Sequence, residues 1–538
     1  MKPLLLLGDE AIAQAAMDAG LSGVYAYPGT PSTEITEFIQ HAPYSKETKI
    51  HCRWATNEKT AMEAAMGMSF AGKRSMVCMK HVGVNVAADP LMNSAISGIV
   101  GGLVFVAADD PSMHSSQNEQ DSRFYGNFAM LPVLEPSNQQ EAYDMVYQAF
   151  DLSERMGFPV MLRITTRLAH SRAGVQRKAQ RAQNEMHFSQ DPKQFVLLPV
   201  NARQRYRELL ATQDRMQEAS ALSEFNVYYD APDKSKGIVA CGIAYNYLME
   251  NFPQGCPWPV LKIGQYPLPE VRIRQMLQDC GQLIVIEEGA PVVENGIKGL
   301  SYEEGKILGR CSGLLPRDGE LNPDIVADAF GLPHQSVYAR PEVVLPRPPA
   351  LCQGCGHRDM YEALTEVVRS LGDEARVFGD IGCYTLGYLP PYRVLNSALD
   401  MGASITMAKG AADAGLKYPV AVIGDSTFTH SGMTSLLDAV NTNAPITVII
   451  SDNETTGMTG GQDSAGTGKI EAICLGLGVD PQHLKVVVPL KKNHEEMVAM
   501  IRQEIAYPGL SVIIPRRECI QTAARHKKQQ AQAQEKQA

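Results

Sequence analysis

Gly424-Asp425-Ser426 follows the apolar run Pro419-Val420-Ala421-Val422-Ile423, and Asn453 comes after 26 intervening residues, 427 to 452. The run ahead of the motif is uninterrupted and β-branched, the pattern of a buried strand. Ser431-Gly432-Met433-Thr434-Ser435-Leu436-Leu437-Asp438-Ala439-Val440 reads as a helix. Ile446-Thr447-Val448-Ile449-Ile450-Ser451-Asp452-Asn453 reads as a second buried strand. An acid thus stands at the end of one strand and an amide at the end of the next. In a parallel sheet both ends lie on one edge, where open α/β sheets bind ligands. Two hard oxygen donors there suit Mg²⁺, which keeps its other positions for water and phosphate oxygens. The stretch Asp452-Asn453-Glu454-Thr455-Thr456-Gly457-Met458-Thr459-Gly460-Gly461-Gln462 lets backbone N–H groups approach a pyrophosphate. Gly-Asp-Ser by itself is equally an Asp cap on an ordinary strand–turn–helix. The glycine-rich second element argues against that simpler reading, because ordering glycine is entropically costly.

The whole chain is consistent with a large α/β protein. Its 538 residues suggest three or four domains, and 44% hydrophobic with 20% charged residues is an ordinary globular balance. A net charge of −10 gives no electrostatic case for nucleic acid. No apolar run is long enough for a membrane span, and Met1-Lys2-Pro3-Leu4-Leu5-Leu6-Leu7 is too short for a secretion signal. It reads as a first buried strand, and a cytoplasmic protein is the expectation. The 11 cysteines are scattered and odd in number, against a disulfide framework.

Residues 1–175 alternate short apolar runs with amphipathic segments, the pattern of a parallel α/β domain. Strands are expected at Leu4–Leu7, Gly23–Tyr27, Ser75–Met79, Gly102–Ala107 and Pro159–Ile164. Tyr27-Pro28-Gly29-Thr30-Pro31-Ser32 is a rigid turn at a strand end that presents Thr30, with Ser32 or Thr33 capping the next helix. Glu58 opens a helix rich in Ala and Met, where a carboxylate suits the helix dipole. Lys80-His81-Val82-Gly83 follows another strand without core periodicity. Asp109 to Arg123 is a polar loop whose His114, Arg123 and amides have the inventory for an anionic substrate. Residues 176–235 are charged and Gln-rich, a connecting arm with a helix at Ala202–Glu224. Residues 236–340 form a second α/β unit, with strands at Gly237–Cys241, Val260–Ile263 and Gln282–Glu287 and an architectural role. Pro341, Pro346, Pro348 and Pro349 mark a boundary before the third unit, 341–523. Residues 524–538, polar and without an apolar face, read as a disordered tail.

Cys352-Gln353-Gly354-Cys355 places two thiols three residues apart around a glycine, and Cys383 and Cys519 lie near expected strand ends. Zn²⁺, an iron–sulfur cluster, a redox pair and core thiols are all open on spacing alone. Cys474 competes as a fourth ligand, although Ile473 and Leu475 beside it suggest a buried helix thiol.

Taken together, Tyr27–Ser32, Asn57–Lys59, Met79–Pro90, Asp109–Arg123, Cys352–His357, Gly379–Gly387, Gly424–Ser435 and Asp452–Gln462 resemble the large subunit of indolepyruvate:ferredoxin oxidoreductases, within the 2-oxoacid:ferredoxin oxidoreductases. The resemblance implies two thiamine-diphosphate-binding parallel-sheet domains, pyrimidine-binding at 1–175 and diphosphate-binding at 341–523, and a transketolase C-terminal-like α/β domain at 236–340. Glu58 would bond the aminopyrimidine ring and help remove the reactive C2 proton. Asp425, Asn453 and the carbonyl of Thr455 would hold Mg²⁺. Tyr27, Pro28, Thr30, Gly424, Ser426, Gly457, Met458 and Thr459 would complete the cofactor envelope. Cys352, Cys355, Cys383 and Cys519 would bind one [4Fe–4S] cluster. Thr30, His81, His114 and Arg123 would line the substrate pocket, with His430 and His81 as proton-transfer candidates. The implied reaction is oxidative decarboxylation of an aryl 2-oxoacid, with coenzyme A taking the acyl group. The implied partners are a small, gamma-type subunit, ferredoxin or another electron-accepting subunit, and a second copy of this chain. The family pattern continues into a ferredoxin-like domain with two further cluster motifs; this sequence stops soon after Cys519, so onward electron transfer is expected to fall to a partner. A non-oxidative thiamine-dependent decarboxylase or carboligase, and a non-catalytic assembly subunit, are the alternatives.

Overall fold

A computed structural model describes residues 3–191, 193–301, 303, 305–333, 341–345 and 349–537. Of the boundary prolines, Pro346 and Pro348 lie outside the described residues, as do 334–340 and Ala538. The chain divides into two compact units, Met1–Tyr338 and Ala339–Ala538.

Among the described residues, the first unit contains a seven-stranded sheet in the order Gln265–Tyr266, Val133–Leu134, Val160–Thr165, Leu103–Asp109, Ser75–Lys80, Gly23–Ala26, His51–Trp54. Every neighbouring pair is parallel except the first. Ser75–Lys80, Leu103–Asp109 and Val160–Thr165 are buried along their whole length. Such strands read as continuous apolar runs because helices cover both faces. The edge strand His51–Trp54, whose His51 and Arg53 are exposed, lacked that signature and escaped the sequence reading. A five-stranded sheet holds Ile307–Leu308, Gln282–Ile286, Lys236–Cys241, Val260–Ile263 and Val227–Tyr229, in that order. Both sheets share one hydrophobic core, so the stretch expected to be a separate 236–340 domain packs with 1–175 as one body. The connecting arm contains the helix Pro199–Ala221.

One strand departs from expectation. Leu4–Leu7 does not join the parallel sheet; it pairs antiparallel with Arg172–Val175. Leu5 is exposed and only Leu6 is buried, so four leucines in a row mark a peripheral ribbon here.

The second unit is built on a six-stranded parallel sheet: Leu395–Ala398, Ala375–Gly379, Tyr418–Gly424, Thr447–Ser451, Ser511–Pro515, Leu484–Val487. Two apolar layers flank it. Four consecutive strands end in chemistry-bearing residues at their carboxyl ends: Asp380 and Cys383, then Asp425, then Asn453, then Cys519. The expected disordered tail is corrected: Ile520–Gln537 is helical. Its residues from Ala524 to Gln532 are exposed, so absence of an apolar face left it solvated without unwinding it.

Candidate active site

Parallel pairing sets Gly424 opposite Ser451, so Asp425 and Asn453 leave the sheet side by side. Asp425 is buried, and its Oδ2 has no hydrogen-bond partner among the described residues. Burial, assisted by the charge of Asp452, pushes its carboxyl up to about 7. The side-chain oxygen of Asn453 lies 3.0 Å from Asp425 Oδ1 and 2.8 Å from the carbonyl oxygen of Thr455, and accepts a 3.3 Å bond from the Thr455 N–H. Turning the amide over would replace both contacts with N–H donation. The three-oxygen arrangement has a different reading. Two oxygens at right angles on one Mg²⁺, with bonds of about 2.1 Å, lie about 3.0 Å apart. The donor set therefore fits that cation as it stands.

The loop beyond Asn453 doubles back. Thr455–Thr456 pairs with Gln462–Asp463, and Gly461, at φ +87°, closes the turn onto Thr456 with a 3.1 Å N–H to carbonyl bond. Thr456 Oγ1 meets Ser426 Oγ at 2.8 Å, Thr459 Oγ1 bonds Gln462 Oε1, and Met458 is exposed. Gly424 and Gly382 are dictated by one ring. A Cβ at either would meet Tyr384 Cε1, at 2.7 and 2.3 Å. Tyr384 in turn donates to buried Asp380, whose carboxyl burial raises to about 6 and which also takes a 2.6 Å bond from Ser404. Tyr384 and Asp380 were not singled out in the sequence; only packing reveals their service to the motif. His430 is buried in the turn before the helix Met433–Asn441 and bonds Ser431 Oγ.

Cys352, Cys355, Cys383 and Cys519 line one pocket, together with Leu351 and Arg517. The thiols are close enough for Cys352, Cys355 and Cys519 all to act on Cys383, which burial pushes up to about 12. Buried His357 places Nδ1 3.2 Å from Cys355 Sγ. Cys519 N–H donates to the carbonyl of Asn453 at 3.0 Å, so the cysteine pocket and the oxygen site share one stretch of backbone. Cys474 is a buried residue of the helix Ile470–Gly476 and is not among the lining residues.

In the first unit, the strands Gly23–Ala26, Ser75–Lys80 and Leu103–Asp109 bring Tyr27–Thr30, Lys80–His81 and Asp109–Asp110 to one sheet edge. Tyr27 and Pro28 are buried and Thr30 is half-buried. Asn57 caps the helix Glu58–Phe70 by accepting from Thr60 N–H at 2.9 Å, and this cap sets Glu58, itself buried, at the first helical position. Gly83 makes room for it: a Cβ there would lie 2.5 Å from Glu58 Oε1. Lys80 was quoted in sequence but given no role. Its buried ammonium bonds the carbonyl of Ser115 at 2.6 Å, and burial lowers it to about 8. It sits beside the Thr30 loop, its Cβ 3.1 Å from where a Cβ on Gly29 would be.

The expected substrate set does not assemble. Arg123 is sealed in the interior, bonded to Asp121 at 2.6 Å, Glu287 at 2.9 Å and the carbonyls of Glu288 and Ala290. It cannot reach a substrate. His114 is exposed and bonds Glu320 at 3.3 Å, while His81 is buried with Nε2 3.2 Å from the carbonyl of Asn118. A polar run after a buried strand looks alike whether it faces solvent, ligand or a second sheet; here Arg123 faces the second sheet.

Residues 14–220 match the family described as pyruvate flavodoxin/ferredoxin oxidoreductase, thiamine diP-binding, and residues 380–514 match the thiamine pyrophosphate enzyme C-terminal TPP-binding domain. Together with the two parallel sheets, these matches define a subunit of the thiamine-diphosphate-binding 2-oxoacid oxidoreductases. The indolepyruvate oxidoreductase subunit IorA of Archaeoglobus fulgidus is 40% identical, covering 96% of this chain and 86% of its own length. That of Methanothermobacter marburgensis is 38% identical over 96% of this chain and 87% of its own. The chain belongs to the IorA subunit family of indolepyruvate oxidoreductases. A solved 2-oxoglutarate:ferredoxin oxidoreductase from Magnetococcus marinus shares the fold at a TM-score of 0.51, with 15% identity over 61% of this chain and 65% of that one.

Proposed function

We propose that this chain binds thiamine diphosphate and Mg²⁺ and oxidatively decarboxylates an aryl 2-oxoacid of the indolepyruvate type. Coenzyme A takes the acyl group, and electrons leave through one [4Fe–4S] cluster. The observation that carries this reading is the edge of the second sheet, where three converging oxygens and four thiols are tied through the Cys519–Asn453 bond.

Thiamine diphosphate, when bound, supplies the electron sink for loss of carbon dioxide from a 2-oxoacid. The residues do the rest. Asp425, Asn453 and the Thr455 carbonyl hold Mg²⁺ against the diphosphate, which relieves the buried Asp425 of its missing partner. Gly424, Ser426, Gly457, Met458 and Thr459 would line the diphosphate, and Tyr27, Pro28 and Thr30 would line the pyrimidine. Glu58, fixed by its cap and by Gly83, keeps a carboxylate at the aminopyrimidine N1′ and so governs its proton. Lys80, buried beside Thr30, offers its ammonium to the substrate carboxylate in place of Arg123. His430 remains the candidate for moving a proton on the diphosphate side. Burial holds the Cys355 and Cys383 thiols above their ordinary range, and iron is what makes four clustered thiolates favourable. The domain reading is a pyrimidine-binding region at 1–175 and a diphosphate-binding region at 341–523. Partners are a small subunit of the same enzyme, ferredoxin or another acceptor, and a second copy of this chain, in the cytoplasm.

Anaerobic purification with co-purifying chains tests this. Expected are one thiamine, four iron and four acid-labile sulfide per chain, and coenzyme A-dependent reduction of a one-electron dye by indolepyruvate. Cys519→Ala should lose the iron and Cys474→Ala should keep it. Zinc in place of iron, or aldehyde release without dye reduction, would overturn the oxidative reading in favour of a simple decarboxylase.

A further inference from the structure

Asp9 is the second residue of the helix Gly8–Asp18 and is fully buried, yet neither of its carboxylate oxygens has a hydrogen-bond partner among the described residues. Glu34, in the first turn of the helix Thr33–His41, approaches the same point, and its Oε2 is also buried without a partner. His170 ends the helix Thr166–His170 and sets Nε2 3.6 Å from Glu34 Oε1. One ligand atom from each of the three residues lies within 4.8 Å of the others. The backbone supports this meeting. A Cβ on Gly8 would stand 2.3 Å from the carbonyl oxygen of Leu168, so the segments bearing Asp9 and His170 touch directly.

Two carboxylates facing each other in the interior repel, and an ionised acid without a partner is costly to bury. Among the described residues, no lysine or arginine lies within ion-pair distance of Asp9 or Glu34; the nearby Arg172 is taken by Glu10 at 3.3 Å. Burial, Glu34 and Glu10 together hold the Asp9 carboxyl well above its ordinary range, the state of an acid that lacks a cation. Two carboxylates and one imidazole are the donor set of first-row divalent ions such as Mn²⁺ and Zn²⁺.

The geometry points to a divalent-cation site formed by Asp9, Glu34 and His170, separate from the diphosphate site and assigned by none of the motifs above. Asp9 anchors it from inside. Glu34 is half-buried and His170 exposed, so they can close by the ångström or so that coordination requires, and water completes the shell from that side. Such an ion would cross-link three helices and fix the start of the one that follows the Tyr27–Ser32 loop.

The test is Mn²⁺ titration of the untagged full-length protein after chelator treatment, followed by electron paramagnetic resonance. One bound Mn²⁺ should show ¹⁴N coupling from imidazole, which an all-oxygen diphosphate site cannot give. The coupling should vanish in His170→Gln and in Asp9→Asn and persist in Asp425→Ala. Absence of nitrogen coupling in the parent protein, or its survival in His170→Gln, overturns the site and leaves a proton shared between two acids. Should Asp9→Asn fail to fold, His170→Gln, at a part-exposed residue, decides alone.

Discussion

Two buried clusters of charge, one in each unit, are built on opposite terms. In the first unit Arg163 is wholly enclosed and meets Asp109 at 2.6 Å, Glu135 at 2.5 Å, Asp121 at 3.4 Å and the carbonyl of Glu288 at 3.0 Å. Arg123 closes the same knot from Asp121 to Glu287, Tyr266 bonds Glu135, and Glu287 accepts two backbone N–H groups. Here arginine and backbone donors face the buried acids. In the second unit Asp425 is buried almost as deeply, but its Oδ2 has no hydrogen-bond partner among the described residues. A satisfied buried network holds a fold together, whereas an unsatisfied one is completed by something outside the chain. Composition cannot separate the two; partner geometry can.

The widest gap between them should appear on breaking each. Arg163→Met takes from Asp109 its ion-pair partner and leaves Asp121 and Glu135 with Arg123 alone, and losing one partner of a buried ion pair costs roughly 3–5 kcal/mol. Thermal denaturation should show a collapse of stability or an insoluble chain; a soluble variant with parental Tm would break the comparison. Gly83→Ala acts on geometry alone. It drives a methyl against Glu58 Oε1, and a displacement of that size at a proton-handling group should lower kcat by roughly 10²-fold while Tm barely moves.

A pH series sharpens the contrast further. Asp425 ionises near 7 in the folded protein against an ordinary 3.8, so it favours folding below about pH 4, and that contribution is lost as pH rises towards 7. Asp380, raised to about 6, adds to the same slope. Denaturant titrations without ligand should show stability falling across that window. Asp425→Asn should flatten Asp425's share, and saturating Mg²⁺ with thiamine diphosphate should flatten it in the parent protein. A parent slope that is unchanged by both ligands would count against the oxygen site. The smallest effect is expected at the exposed carboxy-terminal helix. Stopping the chain after Lys527 should shift stability by no more than about 0.5 kcal/mol, because Lys528 to Gln532 are exposed.

Much of the site was legible because its chemistry is written in contiguous runs. A buried strand followed by Gly-Asp-Ser, or by Asn and a glycine-rich loop, fixes which residues leave the sheet edge, since strand period and parallel pairing do the placing. The strands around Asp425 and Asn453 fall within a residue or two of the reading, as does the start of the Glu58 helix. What was misread involves partners distant in sequence. Leu4–Leu7 looked like core and is a ribbon, because Arg172–Val175 claims its hydrogen bonds. Arg123 looked like an anion binder and is a structural cation, because Glu287 and the Glu288 carbonyl meet it from 165 residues away or thereabouts.

The sequence by itself determined the fold class, the order of the strands that carry the motifs, and which acid, amide and cysteines stand at their ends. Only the tertiary structure decided that four cysteines share one pocket, that Lys80 rather than Arg123 lies beside the Thr30 loop, and that Asp9 meets Glu34 and His170. The physical reason is range. Strand and helix patterns arise from neighbours within a few residues, whereas the worth of a buried charge depends on what the folded chain brings against it.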